Sequence, residues 1–439
     1  MSSFTFGSGP VRRTLALAMA ALMAGTVMPV AAQDLSGNIR LSWWGANVRN
    51  EKTERIIQLF ETENPGVRIT REPGEFSAYW DKLNVQVASG NQPCAITMQS
   101  RLLAQYADPS ILRPLDDLVA DGTLDVSGIE PSVLDSGRGA DGNLYFVPHG
   151  VFYFAVIMNK TQIEAAGMEV PSNDWTWEDF AAFSREIAPK LPAGSYAAGN
   201  LGNNMNGFVG YVLAHGETPF NPDGSVAVSP ELVASWFSMW EELRTEGVTE
   251  TAELMAELPD NFIDNTLLAN GRLVTDARPA NQLDGHQKVL DVAKPGEELI
   301  VHTLPIGPAG SGNDVGSNGF AIGANCDENS VRIAAAWSNF FLQDERAADI
   351  YLSDNGVVTV DRFREKQLAN PNATPGQRQL IEVFNEVAPT AATALYPPGG
   401  YNTMIEVITS TYESVAFGQM TPEQGAESFV DQVTRLTQQ

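Results

Sequence analysis

The chain has 439 residues, 43% of them hydrophobic, and its formal net charge at pH 7 is −27. A chain of this size can bury one large core or two moderate ones, and the usual domain length favours two. The negative charge argues against nucleic acid and anionic membrane surfaces as partners, because both attract clustered Lys and Arg side chains. Beyond the first 32 residues, no stretch reaches the roughly 18 apolar residues of a membrane helix.

The first 32 residues have the pattern of a secretory signal peptide. Arg12 and Arg13 form a positively charged start, residues 15–28 are apolar, and residues 30–32 (Val-Ala-Ala) match a small-residue cleavage site. We expect cleavage after Ala32 and a periplasmic mature protein that diffuses freely, since neither cysteine lies at the cleavage point to carry a lipid. A buried helix or an uncleaved anchor is the alternative, and Sec or Tat export both stay open.

The mature chain begins with the signals of an α/β fold. Residues 39–44 form a β-rich run, residues 51–64 place apolar side chains on one helical face, and residues 67–70 alternate like a second strand. The Pro65-Gly66 pair stops the helix between the two strands. Strand, helix and strand at this spacing predict a βαβ unit and a parallel sheet.

Similar signals occur farther along the chain. Thr176 and Asp179 have capping-box spacing and predict the start of a helix. Residues 95–98 and 318–324 predict strands, and residues 331–342 predict a helix. Residues 307–313 are rich in Gly, Ser and Asn, which is typical of a surface loop or of a crossing between domains.

Several of these segments resemble family 1 extracellular solute-binding proteins, the group that includes maltose-binding protein. The stretch Phe-Glu-Thr-Glu-Asn-Pro-Gly-Val at residues 60–67 looks like the family signature FEKENPGV. Further similar stretches follow in the family's order at residues 79–83, 88–93, 112–118, 141–148, 158–160 with 166–167, 176–180 and 319–322. Each stretch is weak alone, but their order covers nearly the whole mature chain. Cys94 departs from the family, which more often has Asp after the proline.

The resemblance implies an α/β fold of the two-lobed periplasmic-binding-protein type (type II), with a ligand cleft between lobes joined by hinge segments. The N-terminal lobe would take residues 33–151 plus 306–352, and the C-terminal lobe residues 152–305 plus 353–439. The three crossings would fall near residues 151–154, 303–312 and 349–359. Ligand would bridge the lobes and shift the population towards a closed form.

The function that the resemblance implies is that of a periplasmic substrate-binding component of an ABC importer. Its partners would be a carbohydrate ligand and the transmembrane subunits of the permease, and it would act as a monomer without cofactor or metal. A sugar needs flat aromatic side chains for its ring face and bidentate polar side chains for its hydroxyl belt.

Aromatic and polar side chains at strand ends are therefore the candidate ligand contacts, because open α/β sheets bind ligand beyond those ends. We expect one of Trp43 and Trp44 to touch ligand and the other to lie in the core, since adjacent strand residues face opposite ways. Packing is the alternative for Tyr79 and Trp80, and a structural ion pair with Asp276 is the alternative for Arg278. The full set of candidates is Trp43, Trp44, Asn47, Arg49, Tyr79, Trp80, Gln99, Arg101, Phe152, Tyr153, Asn206, Arg278, Asn318 and Tyr401. Because the set includes Arg49, Arg101 and Arg278, the ligand can be either a neutral or an anionic sugar.

A secreted carbohydrate-active enzyme is the alternative function. No G-x-S-x-G or Walker motif occurs, and Gly137 to Gly142 match G-x-G-x-x-G but precede a strand instead of opening a helix. The four histidines lack metal-ligand spacing. A glycosidase-like carboxylate pair stays open, because 54 acidic residues allow many spatial pairs.

The only two cysteines, Cys94 and Cys326, are expected to form a disulfide. Secretion favours the bond. In the family that the chain resembles, the strand before Cys326 returns antiparallel beside the strand after Cys94, which brings both residues to the sheet end away from the cleft. A pair of buried free thiols is the alternative.

Overall fold

The structure, a computed structural model, describes residues 35–45, 47–257, 263–391, 394 and 396–437. The predicted signal peptide lies outside the described residues. Within them the strands are β1 (Gly37–Trp44), β2 (Val67–Gly74), β3 (Ala95–Gln99), β4 (Phe146–Asn159), β5 (Tyr196–Ala198), β6 (Leu273–Pro279), β7 (Leu299–His302), β8 (Val315–Ile322) and β9 (Val357–Val358).

Helices cover the strands. The described α-helices are α1 (Asn47–Glu63), α2 (Phe76–Ala88), α3 (Asp116–Ala120), α4 (Pro131–Asp135), α5 (Lys160–Ala165), α6 (Trp177–Ile187), α7 (Met205–Ala214), α8 (Pro230–Thr245), α9 (Ala252–Glu257), α10 (Leu283–Ala293), α11 (Glu328–Gln343), α12 (Glu345–Tyr351), α13 (Asp361–Ala369), α14 (Pro375–Val387), α15 (Gly400–Ala416) and α16 (Pro422–Thr437). Short 3-10 helices lie at Ser100–Gln105, Ala188–Lys190, Ile263–Asn265, Ala280–Gln282 and Ala388–Thr390.

The strands pair in the order β2-β1-β3-β8-β4-β6-β5, and β7 and β9 also pair with β4. Strand β4 pairs with β8 up to Tyr153 and with β6 from Phe154 onward. One strand thus passes through both halves of the sheet. We call the part built on β1, β2, β3 and β8 the first lobe and the part built on β5, β6 and β7 the second lobe.

The first unit of the chain is the predicted βαβ unit. Strands β1 and β2 are parallel, with Gly37 opposite Val67, and α1 connects them. Helix α1 ends at Glu63, immediately before the Pro65-Gly66 turn, because proline cannot continue a helix. The α/β prediction is confirmed. The capping box is also confirmed, since Thr176 Oγ1 accepts from the Asp179 N–H at 3.1 Å.

The strand predicted at residues 318–324 is shifted in the structure, where β8 runs over Val315–Ile322. It begins earlier because residues 315–317 pair with the middle of β4. At the other end the strand stops at Ile322, although Gly323 still donates a hydrogen bond to the carbonyl of Cys94. The longer strand brings the start of β8 to the junction of the two lobes.

The apolar packing follows the sheet from one lobe into the other, since one cluster contains both Ile39 of β1 and Leu299 of β7. Ile39, Leu41 and Phe60 belong to the cluster around β1 and α1, which continues along β4. In the second lobe, Trp236 and Trp240 of α8 pack in a cluster with Phe429 of α16. A third cluster lies around β3 and α2 in the first lobe. Burial on this scale supplies the main driving force for folding.

A disulfide joins Cys94 and Cys326, with their Cα atoms 5.8 Å apart. Cys94 immediately precedes β3 and Cys326 follows β8, and these two strands are antiparallel neighbours. The bond therefore lies at the end of the strand pair opposite to Gln99 and Asn318. In the part of the chain that the structure describes, no helix is both long and apolar enough to span a bilayer.

Candidate functional site

The junction of the two lobes is organised around Arg101. This residue lies in the 3-10 helix that follows β3, so the end of the strand delivers its side chain to the lobe boundary. Its guanidinium donates to Asp314 Oδ2 at 2.7 Å and to Asn206 Oδ1 at 2.7 Å, and the Tyr401 hydroxyl lies 3.3 Å from it. Asn206 and Tyr401 come from the second lobe, so one cation connects both lobes.

Local structure fixes the partners of Arg101. Asn204 caps α7 by accepting from the backbone N–H of Asn206, which places Asn206 in the first helical turn. Gly399 has φ 72° and starts α15 through a turn that suits glycine, with Tyr401 in the first turn. Both helices therefore present their N-terminal residues towards the Arg101 guanidinium.

Aromatic rings surround the same cation. The guanidinium carbon lies 4.9 Å from the ring centre of Phe152, 5.3 Å from that of Phe154 and 5.4 Å from that of Tyr401. Gly316 pairs with Phe152 across the sheet, and a Cβ there would come within 2.2 Å of the Phe152 ring. A glycine at this position thus leaves room for the ring. We call Arg101, Asp314, Asn206, Tyr401 and Phe152 the Arg101 cluster.

The charge of Arg101 is compensated although it is buried. Burial alone would lower its pKa, but neighbouring Tyr401 and Asp314 outweigh that effect and raise the pKa above its ordinary value. Asp314 also accepts a backbone N–H bond from Ala394 at 3.0 Å. Both members of the pair therefore make further hydrogen bonds, as a buried ion pair requires.

Two polar groups beside the pair have no hydrogen-bond partner among the described residues. They are Nε of Arg101 and the hydroxyl of Tyr396, and both are buried. Burial, and next the nearby Asp314, raises the pKa of Tyr396 well above its ordinary value, so the phenol keeps its proton. Buried donors without partners are rare in folded proteins, and a bound molecule can supply the missing acceptors.

A cavity of about 640 Å³ adjoins the Arg101 cluster through Ser100 and Tyr396. This volume lies within the range of small-molecule sites. Its walls come from both lobes: Ser100, Leu103, Ala104, Ala107, Asp135, Ser136, Arg138, Gly139, Ala140 and Asp141 from the first, and Asn221, Pro222, Asp223, Gly224, Ala394, Tyr396, Pro397 and Pro398 from the second. We call this space the interlobe cavity.

Of the sequence candidates, the structure brings together Arg101, Phe152, Asn206 and Tyr401. Gln99 and Asn318 lie next to them, paired across β3 and β8, with Gln99 Nε2 donating to Asn318 Oδ1 at 3.3 Å. Asn318 is itself buried and donates to the Asn355 carbonyl. These two amides support the strand ends from which the cluster projects.

Trp43 and Tyr153 lie in the core instead of at the cavity. Trp43 is 3% exposed, and its Nε1 donates to Asn50 Oδ1 at 2.9 Å. The hydroxyl of Tyr153 donates to the Leu380 carbonyl at 2.8 Å. The physical reason is that helices cover both faces of the sheet, so neither side of these strands opens to ligand.

Trp44, Tyr79 and Trp80 pack on one another. The ring of Trp44 lies 5.2 Å from Tyr79 and 5.3 Å from Trp80, and Trp80 lies 5.7 Å from Tyr106. The Tyr79 hydroxyl donates to the Thr97 carbonyl at 2.6 Å. These rings anchor α2 on the sheet, which is the packing alternative that the sequence left open.

The remaining candidates lie at other places. Asn47 is exposed at the start of α1, and Arg49 forms an ion pair with Asp354 at 2.8 Å. Arg278 pairs with Asp276 at 2.7 Å, the structural ion pair that the sequence left open. Both arginines are thus held by carboxylates outside the interlobe cavity.

Arg278 lines a second cavity, of about 360 Å³, whose described walls all come from the second lobe. Glu250, which is buried, also lines it and accepts the Asn200 backbone N–H with both oxygens at 3.1 Å. Burial raises the pKa of Glu250 to about 7, and nearby Asp276 adds to that effect.

Sequence reasoning missed Asp314, Tyr396 and Ser100. Asp314 directly follows the Gly- and Ser-rich crossing, and Tyr396 directly precedes the Pro397-Pro398 turn. A polar residue next to a predicted crossing or rigid turn is therefore the sequence feature that could have identified Asp314 and Tyr396. Among the described residues, no group of three or more His, Cys, Asp or Glu side chains is arranged to hold a metal ion.

Comparisons with known proteins agree with this architecture. A putative binding protein of Brucella abortus is 22% identical over 417 residues, covering 92% of this chain and 94% of the relative. The sn-glycerol-3-phosphate-binding periplasmic protein of Shigella flexneri is 22% identical over 411 residues, covering 88% and 89%.

Solved structures share the fold. An ABC substrate-binding protein of Listeria monocytogenes in complex with cycloalternan matches with a TM-score of 0.75 at 21% identity, covering 91% of this chain and 98% of that one. A periplasmic oligogalacturonide-binding protein of Yersinia enterocolitica in complex with saturated digalacturonic acid matches with a TM-score of 0.75 at 18% identity and the same coverage. The two-lobed fold is confirmed.

The family resemblance read from the sequence motifs is confirmed as well. A family model described as bacterial extracellular solute-binding protein matches residues 55–361. This chain therefore belongs to the bacterial extracellular solute-binding protein family.

Proposed function

We propose that this protein captures a carbohydrate in the interlobe cavity and delivers it to the transmembrane subunits of an ABC importer from the periplasm, as a monomer and without catalysis. The observation that carries the proposal is the buried Tyr396 hydroxyl, which has no hydrogen-bond partner among the described residues and belongs to a residue lining a cavity whose walls come from both lobes. A polyhydroxylated ligand supplies an acceptor to such a donor and bridges the lobes. Relatives whose names or titles mention cycloalternan and oligogalacturonide support the carbohydrate class.

The lobe boundaries are part of the proposal. We place residues 33–151 plus 306–352 in the first lobe and residues 152–305 plus 353–439 in the second. The change of partner along β4, from β8 to β6 between Tyr153 and Phe154, supports the first boundary. Rotation about such a crossing closes the lobes on ligand and shifts the population to the form that the importer recognises.

A thermal-shift screen of the protein without residues 1–32 against mono- and oligosaccharides tests the function. A ligand that binds only the native state adds RT ln(1 + [L]/Kd) to stability, about 2.7 kcal/mol at a hundredfold excess over Kd. We expect at least one sugar to stabilise the protein and to reduce its radius of gyration in X-ray scattering. If no sugar at millimolar concentration changes either quantity, the carbohydrate assignment is wrong.

Tyr396→Phe connects that result to the site. Because the hydroxyl lacks a protein partner, its removal should leave stability unchanged within about 1 kcal/mol. The loss of one hydrogen bond to the sugar should weaken binding about tenfold. Tyr412→Phe is the control, since Tyr412 is also a buried tyrosine but does not line the interlobe cavity. If both variants bind the sugar with equal affinity, the sugar binds outside the interlobe cavity.

A further inference from the structure

The charged groups around the interlobe cavity bear on whether the carbohydrate ligand is neutral or anionic. The sequence offers three arginines that could bind an anionic sugar. In the structure, each of them has a carboxylate partner. Arg49 lies 2.8 Å from Asp354, Arg101 lies 2.7 Å from Asp314, and Arg278 lies 2.7 Å from Asp276. Their positive charges are therefore compensated before any ligand arrives.

The walls of the interlobe cavity add negative charge. Among the described lining residues, the one basic side chain is Arg138, which lies 2.8 Å from Asp116 and 3.0 Å from Asp135. The same walls carry the carboxylates of Asp135, Asp141 and Asp223, which leaves an excess of two negative charges. All three are exposed, so they act as a salt-dependent field at the rim.

The cavity donor that still lacks a partner suits an uncharged acceptor. The Tyr396 hydroxyl, on a residue that lines the cavity, can donate one hydrogen bond, which a sugar hydroxyl or ring oxygen can accept. An acidic sugar would gain the same hydrogen bond but no net compensation for its charge. It would also have to leave water, and a buried charge without a countercharge is strongly disfavoured.

From this arrangement, and resting on the proposed function, we propose that the interlobe cavity selects against anionic sugars. Its ligand is an uncharged polyhydroxylated sugar, or one that carries an amine, of the size of a short oligosaccharide. The selectivity thus differs from that suggested by the relatives whose names or titles mention digalacturonic acid and glycerol phosphate. The difference arises because Arg138 in the cavity wall and Arg101 beside it both pair with carboxylates of the chain.

A competition experiment on the full protein without residues 1–32 tests the selectivity. The protein is mixed with equal concentrations of neutral, amine-bearing, uronic and phosphorylated mono- to trisaccharides, and retained sugars are identified by mass spectrometry after ultrafiltration. We expect neutral or amine-bearing sugars to be retained at least tenfold over their acidic counterparts. Preferential retention of uronic or phosphorylated sugars would overturn the selectivity and leave the carbohydrate assignment standing, whereas retention of no sugar would overturn both.

A charge variant tests the cause of the selectivity by calorimetry with the best retained sugar and its uronic counterpart. Asp223→Asn should raise affinity for the uronic sugar about threefold and change that for the neutral sugar by less than twofold. Asp121→Asn is the matched control, because Asp121 accepts the backbone N–H of Thr123 as Asp223 accepts that of Ser225, but lies outside the cavity. Raising NaCl from 20 to 500 mM should reduce the difference between the two sugars. A difference that neither salt nor Asp223→Asn changes would contradict the electrostatic cause.

Discussion

The guanidinium of Arg101 and the carboxylate of Asp314 meet at 2.7 Å beside the lobe junction, and each side chain is only 6% exposed. The two residues are 213 positions apart in the sequence. Arg101 follows the strand that ends in the first lobe, whereas Asp314 lies directly before the strand that returns to it. The pair therefore links the end of β3 to one of the predicted crossings.

Removing one member of this pair should cost more stability than removing both. Arg101→Met leaves the Asp314 carboxylate buried without its countercharge, and we expect a loss of about 3–5 kcal/mol in the free energy of unfolding. The double variant Arg101→Met, Asp314→Asn should recover at least half of that loss, because no buried charge remains. Urea denaturation of the wild type, both single variants and the double variant measures the coupling. If the double variant loses as much free energy of unfolding as the two single variants together, the pair does not act as a unit.

His149 should make the protein less stable in acid. Burial lowers its pKa to about 3, with Arg49 adding to the effect, and its ring lies 4.9 Å from Phe320 and 5.1 Å from Phe341. The folded state favours the neutral ring, so its contribution is full above the unfolded pKa of about 6.5 and is lost as pH falls towards 3. The loss can reach about 5 kcal/mol across that window.

His149→Phe tests this pH dependence. The variant keeps an aromatic ring but cannot take up a proton, so its unfolding free energy should fall less steeply between pH 6.5 and pH 4 than that of the wild type. His215→Phe is the control, since His215 is only partly buried. Parallel curves for the wild type and His149→Phe would show that another group causes the acid sensitivity.

Glu250 should have the opposite dependence on pH. Burial raises its pKa to about 7, so the folded state favours the protonated carboxyl. Its contribution to stability is full below the unfolded pKa of about 4.5 and is lost as pH rises through 7. Glu250→Gln removes this dependence, and its stability relative to the wild type should rise by up to about 3 kcal/mol between pH 4.5 and pH 8. Denaturant titrations at four pH values measure the difference, and a constant difference would contradict the burial effect.

The disulfide should contribute substantially to stability. Its cysteines are 232 positions apart, and the chain-entropy model gives about 5 kcal/mol for a loop of that size, as an upper value. The Cys94→Ala, Cys326→Ala variant should lose up to this amount, and dithiothreitol should destabilise the wild type but leave the variant unchanged. Thiol titration of the denatured, unreduced wild-type protein should find no reactive thiol.

Local patterns in the sequence predicted much of the fold. The β1-α1-β2 unit and the Thr176 capping box depend on residues within a few positions of each other, so their signals survive without the tertiary structure. The strand predicted at residues 318–324 begins three residues earlier, at Val315, because its early residues are stabilised by pairing with β4 and not by local propensity.

The candidate site was harder to predict, because burial depends on what covers each strand. Trp43 and Trp44 face opposite ways, as expected, but both faces are covered, one by α1 and α11 and the other by α2. Arg101 was identified from its position after β3, whereas its partner Asp314 is distant in sequence. Whether an arginine is available to a ligand depends on such distant carboxylates, and spacing along the chain does not reveal them.

The bond between Cys94 and Cys326 has a consequence for damage by proteases. Strands β3 to β8 all lie between the two cysteines, and β5, β6 and β7 of the second lobe are among them. A single backbone cut anywhere between residues 95 and 325 leaves two fragments that are still covalently joined. Nicked chains therefore run as one species without reductant and as two with it, and β3 and β8 stay side by side after the connection between them is broken.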